Sequence, residues 1–189
     1  SEKRLMNKGV SACAVCDGFF FRGMEVAVVG GGDSAAEEAS YLSKLCPKVH
    51  LLVRRDQLRA SKIMQERVLK TANIEVHWNS EVQEVLGEES VEGIRVLNNT
   101  SGAVTEIPVK GLFAAIGHQP NTNVFKGWLE MDEVGYLHTK PGTSHTNIEG
   151  VFASGDAQDK VYRQAITAAG TGCMAALDAE RYLAEKGII

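Results

Sequence analysis

"VVGGGDSAAEEA", residues 28–39, is the stretch that decides the fold. It closes the β-branched run "EVAVV" (25–29) and opens a segment with Ala35, Ala39, Leu42 and Cys46 on one helical face. The pattern Gly30-x-Gly32-x-x-Ala35 therefore falls between a strand and a helix, the setting in which it cradles a dinucleotide. In that setting Gly30 makes the tight turn, Gly32 lets backbone approach a pyrophosphate, and the small Ala35 lets helix and strand pack closely. Asp33 and Ser34 occupy the helix start, where N–H groups and the positive dipole end favour an anion. The competing reading is a structural turn without a ligand.

Working outward, Pro47 is expected to stop the first helix. "KVHLLVRR" (48–55) reads as a second strand, "ASKIMQERVLKTA" (60–72) as a second helix, and "IEVHWN" (74–79) as a third strand. The order β-α-β-α-β favours a parallel sheet with helical crossovers, an α/β Rossmann-like fold. The end of the second strand selects the nucleotide. An acidic residue there would take a ribose 2′-hydroxyl, but this chain has Arg54, Arg55 and then Arg59. Guanidinium forks match a phosphate, so the cluster points to NADP(H). The alternative is a solvated basic turn, with Asp56 among the arginines.

From "EVQEVL" (81–86) to "GLFAAIG" (111–117) the chain reads as a β-meander inserted in the nucleotide fold, with "NNTSG" (98–102) as a hairpin turn. The nucleotide-binding domain is expected over 1–117. Residues 118–189 form a second region, with a strand at "GVFASGD" (150–156) and a long helix from about Gln164 to Lys186. The small residues of that helix, from Ala165 to Ala179, predict deep packing.

Composition narrows the function. A net charge of -4 argues against nucleic-acid or anionic-membrane partners, and no apolar run approaches the roughly 20 residues of a membrane span. The polar N-terminus is not expected to be a signal peptide, and four cysteines are too few for a disulfide scaffold; a reducing, cytoplasmic setting is expected. Cys46 and Cys173 read as buried small hydrophobes.

Cys13 and Cys16 in "SACAVCDGFFFRG" (11–23) admit three readings: metal ligands, a static staple, or a redox pair. No close histidine pair or second CxxC completes a zinc site, so no metal is expected. A two-residue loop constrains little chain. The redox reading remains, since CxxC geometry lowers one thiol's pKa and closes with little rearrangement. Asp17 is either its proton acceptor or a turn-forming residue. Hydride and dithiol chemistry both move two electrons, and a flavin is the usual mediator.

With the glycine loop, the arginine cluster and "CAVCD" (13–17) together, the chain resembles the low-molecular-weight NADPH-dependent thioredoxin reductases. The resemblance continues through "AIGHQPNT" (115–122), "GVFASGDAQD" (150–159) and "YRQAITAAGTGCMAALDAERYL" (162–183). It implies NADPH and FAD as cofactors, thioredoxin as partner and a homodimer. Cys16 would face the flavin, Cys13 would attack the partner disulfide, and Asp17 would be the acid/base. Gly155 and Asp156 would meet the flavin's ribityl chain, and Arg163, Gln164 and Ala165 would open a helix toward its ring. The chain opens just upstream of CxxC, so the resemblance makes residues 118–189 the C-terminal part of an FAD domain and the whole an expected fragment. Rival readings are an NADPH-binding redox sensor, or a flavoprotein serving a peroxiredoxin.

Overall fold

The computed structural model describes residues 1–189, which fall into two units, Ser1–Gly117 and His118–Ile189. In the first unit five parallel strands lie in the order β1-β8-β2-β3-β4: β1 (Val10–Ser11), β2 (Val26–Val29), β3 (Val49–Val53), β4 (Ile74–Trp78) and β8 (Gly111–Ala114). Val28 pairs with Leu51 on one side and Phe113 on the other. β3 is buried along its whole length, which is why it reads "VHLLV" without polar alternation. Its neighbour β4 sits at the edge of the sheet.

The two faces of this sheet build two cores. Val26, Val28, Leu51 and Phe113 pack beneath helix α2 (Asp33–Leu42) and helix α3 (Lys62–Lys70). Ala27, Leu52 and Leu112 point the other way, onto an antiparallel sheet of β5 (Ser80–Leu86), β6 (Gly93–Asn98) and β7 (Val104–Ile107). The expected meander is therefore a third layer. Its hairpin turn is organised by Asn98, whose Oδ1 accepts from the N–H groups of Thr100 and Ser101.

α2 ends at Leu42, earlier than the Pro47 stop predicts; residues 43–46 continue as turns that still bury Cys46. The second unit departs further from expectation. "GVFASGD" forms one isolated bridge, Phe152 to His145, instead of a strand, because no neighbouring strand within the unit continues its pairing. The long helix α4 (Ala165–Glu185) is present but buries no residue, so the prediction of deep packing is corrected, and Cys173 on it is exposed. The unit's apolar cluster is confined to Leu129, Leu137 and Ala153 with a few flanking side chains. Polar ties hold α4 instead: Asp178 accepts from the Ser144 N–H and hydroxyl at 3.0 and 2.7 Å, and Thr171 Oγ1 accepts from the Gly155 N–H at 2.9 Å.

Candidate nucleotide and dithiol sites

After β2 the chain builds β3 and β4 on one side, then returns to place β8 on the other. The crevice at the carboxyl ends of β2 and β8 is the switch point where open α/β sheets bind ligands. A cavity of about 570 Å³ lies there. Gly30, Gly31, Gly32 and Ser34 line it after β2; Arg54, Arg55 and Arg59 line it after β3; Ala115 to Gly117 line it after β8. The structure thus gathers the glycine loop and the three arginines, which are exposed and free of ion pairs.

The two glycines serve different needs. Gly30 has φ +150°, and a Cβ there would collide with the Ala115 carbonyl oxygen and lie 2.8 Å from the Ala35 Cβ. β8 and α2 close on it, and Ala35, fully buried, is small for the same reason. A Cβ on Gly32 would meet nothing within 4 Å; the space over this cavity-lining residue is left open, as a backbone that receives a diphosphate requires. The open loop, the helix start and the guanidinium groups fit a phosphorylated dinucleotide. Asp33 does not line the cavity. Its carboxylate accepts the Ser61 N–H at 2.9 Å, which holds it below the usual carboxylate range and ties α2 to the start of α3.

Cys13 and Cys16 form a disulfide with Cα atoms 5.3 Å apart. They sit just after β1, which pairs with β8, at the same carboxyl edge of the sheet. Cys13 caps the short helix α1 (Ala14–Asp17), its sulfur accepting the Cys16 N–H at 3.2 Å. The Ser11 hydroxyl accepts the Cys13 N–H at 3.0 Å, and the Asp17 N–H closes the turn onto the Cys13 carbonyl. Composition gave no hint of what surrounds the pair. Val15, Phe19 and Phe20 are 61%, 64% and 74% exposed, an apolar rim beside the disulfide.

A histidine pair does exist in space, contrary to the reading of scattered histidines. His50 Nδ1 and His77 Nε2 are 3.0 Å apart, with Glu75 beside them. The pairing of β3 with β4 brings them together, a register that sequence spacing alone does not reveal. His50 Nε2 meets Glu25 at 3.1 Å and Lys48 pairs with Glu75 at 2.5 Å, so the cluster is already satisfied by its own groups.

In the second unit, Gly155 (φ +63°) and Asp156 open a short 3-10 turn, and Gln164 caps α4 in a reciprocal capping box with Thr167. Arg163 is held at φ +49°. Asp156 and Arg163 both act electrostatically on His118, whose pKa is lowered chiefly by burial. Sequence reasoning missed Asp159, the organiser of this loop. It accepts from the N–H groups of Val161, Tyr162 and Arg163 and from the Thr167 hydroxyl. Burial pushes its pKa up, but these hydrogen bonds win and hold it below the usual range.

The crevice at the ends of β2 and β8 and the cysteine pair after β1 thus lie at one edge of a single parallel sheet. The chain belongs to the pyridine nucleotide-disulphide oxidoreductase family, whose model matches residues 2–172. It is 58% identical over 186 residues to thioredoxin reductase 2 of Arabidopsis thaliana, covering 96% of this chain and 49% of that protein. The thioredoxin reductase of Debaryomyces hansenii is 56% identical over 188 residues, 98% of this chain and 59% of that protein. The solved thioredoxin reductase from Giardia duodenalis superposes with a TM-score of 0.88 at 46% identity, covering 97% of this chain and 60% of that one. The chain thus spans about half to three-fifths of the relatives it matches. No helix is long and apolar enough to cross a membrane.

Proposed function

We propose that this chain is the nucleotide-binding and dithiol-bearing part of an NADPH-dependent thioredoxin reductase. The observation that carries the reading is the placement of the Cys13–Cys16 disulfide on the strand next to the switch-point crevice. When bound, NADPH and FAD would supply two electrons to that disulfide. The chain's own residues do the rest. The Gly30–Ala35 loop and the α2 start hold the diphosphate, and Arg54, Arg55 and Arg59 hold the 2′-phosphate. Gly155, Asp156 and the Arg163–Ala165 segment at the start of α4 are the groups of the second unit that would hold FAD.

In the reduced state, the Cys13 thiolate attacks the disulfide of thioredoxin, forming a mixed disulfide and releasing one partner thiolate. Cys16 then attacks Cys13, restoring the internal disulfide and freeing the second partner thiol. Asp17, at the end of α1, manages the proton of the departing thiol. The rim of Val15, Phe19 and Phe20 suits an apolar protein surface better than a small polar disulfide. The intact enzyme is expected to be a homodimer in a reducing compartment such as the cytoplasm.

Titration of the chain with NADPH and NADH, followed by thiol transfer, tests the reading. NADPH should bind at least about tenfold more tightly than NADH, with the preference lost in R54A/R55A/R59A. Chain reduced with dithiothreitol and freed of it should transfer one disulfide's worth of electrons to thioredoxin, and Cys13→Ser should transfer none. Equal affinity for the two nucleotides would overturn the 2′-phosphate assignment. Nucleotide binding without thiol transfer would leave a binding module in place of a reductase.

A further inference from the structure

α2 presents two consecutive glutamates to different surroundings. Glu37 is exposed, whereas Glu38 turns in toward α1, the helix that carries the cysteines. Its carboxylate faces the backbone N–H of Ala14, the residue directly after Cys13. The other oxygen, Oε2, is buried and has no hydrogen-bond partner. Around it, Ala14 is fully buried, and a Cβ on Gly18 would lie 2.9 Å from Leu42, so α1 and α2 pack closely and admit little solvent.

An unpartnered buried carboxyl oxygen is a costly feature in a native structure. We propose that Glu38 is a positioning residue of the dithiol, anchoring the peptide after Cys13 and taking up a proton when the Cys13–Cys16 disulfide is reduced. This rests on the cysteines being a redox pair, as the proposed function has it. Two electrons from a dithiol reductant cleave the S–S bond. Of the accompanying protons, one goes to a cysteine sulfur and one to Glu38, and the other sulfur stays as a thiolate.

The electrostatics agree with this assignment. Burial pushes the Glu38 carboxyl up to about 7, opposed only by the Ala14 N–H. The titratable groups that α1 brings are Cys13, Cys16 and Asp17; Tyr41 lies one turn along α2. α3, which also packs on α2, carries Lys62, Glu66, Arg67 and Lys70, all exposed, and none of these charges moves Glu38. Formation of a thiolate on the neighbouring helix therefore falls on a carboxyl poised at neutral pH, and the two titrate as a coupled pair.

The test is the equilibrium of the Cys13–Cys16 disulfide with dithiothreitol buffers across pH, with no nucleotide, flavin or thioredoxin present. Wild type should take up about half a proton more than E38Q at the centre of a window opening just above the Glu38 pKa, the most that a tenfold coupling allows. E38Q should be reduced about tenfold more readily than wild type at about pH 9, with the two nearly equal at about pH 6. Parallel pH dependences for wild type and E38Q would sink the proposal. E38Q removes a buried charge and keeps the shape, so it should fold; E38D supplies the check, shortening the reach to Ala14 while retaining a titration. Failure of NADPH binding or thiol transfer to thioredoxin would leave this result untouched, so the two readings fail separately.

Discussion

The two units answer the same kind of sequence differently. "EVAVV" in the first and "GVFASGD" in the second both look like strands ending in a glycine turn. The first becomes β2, flanked on both sides and buried at Val26, Ala27 and Val28; the second makes one bridge and leaves Val151 exposed. Helices show the same contrast. α2 buries Ala35, Ala36, Ala39 and Leu42 completely, whereas the 21-residue α4 buries nothing. Composition states what a segment can pack against; neighbours within the chain decide whether it does. Stability should accordingly be concentrated in residues 1–117.

Amide hydrogen exchange should break or sharpen this comparison most visibly. The central strands β2 and β3 should be protected up to the global unfolding free energy, on the order of 5–15 kcal/mol. α4 amides should open locally for about 1–2 kcal/mol, since the helix buries no residue and is held chiefly by polar ties. Uniform protection would refute the contrast. Next in size is a matched pair of truncations read by denaturant unfolding. Leu51→Ala, at a fully buried site, should cost about 2–5 kcal/mol. Ile166→Ala, 79% exposed, should change stability by no more than about 0.5 kcal/mol.

Asp159→Asn should cost about 1–3 kcal/mol of local stability, seen as faster exchange around residues 161–167 and not in β2 or β3. Because the folded pKa of Asp159 lies below its unfolded value, the contribution is present above about pH 4 and is lost as pH falls through the folded pKa. The smallest structural effect belongs to Phe20→Ala, at a 74% exposed position, which should leave stability within about 0.5 kcal/mol. Its thiol transfer to a protein disulfide should nonetheless slow about tenfold, with a small aromatic disulfide unaffected.

Much of the first unit was legible because its signals are local. Gly30, Gly32 and Ala35 need only a strand before and a helix after them, and Arg54, Arg55 and Arg59 follow from the strand's end. The helical spacing of Ala35, Ala39 and Leu42 survived intact, even though α2 stops short of Cys46. The same stripe held an unread clue: position 38 falls three residues after Ala35 and four before Leu42, so a glutamate there lies beside the buried face of α2. His50 and His77 were out of reach, because only the pairing of β3 with β4 joins them. Asp33 looked like part of the nucleotide loop, but a backbone N–H from Ser61 claimed its carboxylate first.

The strand order β1-β8-β2 sets a gap. Strands lie about 4.8 Å apart, so the loop carrying the disulfide and the loop cradling the nucleotide are held roughly 10 Å from each other by the width of β8. Bond-making needs reacting atoms at about 3–3.5 Å. On the proposed reading, the sheet would therefore act as a spacer that holds the dithiol loop and the nucleotide loop on one rigid frame, a strand's width apart.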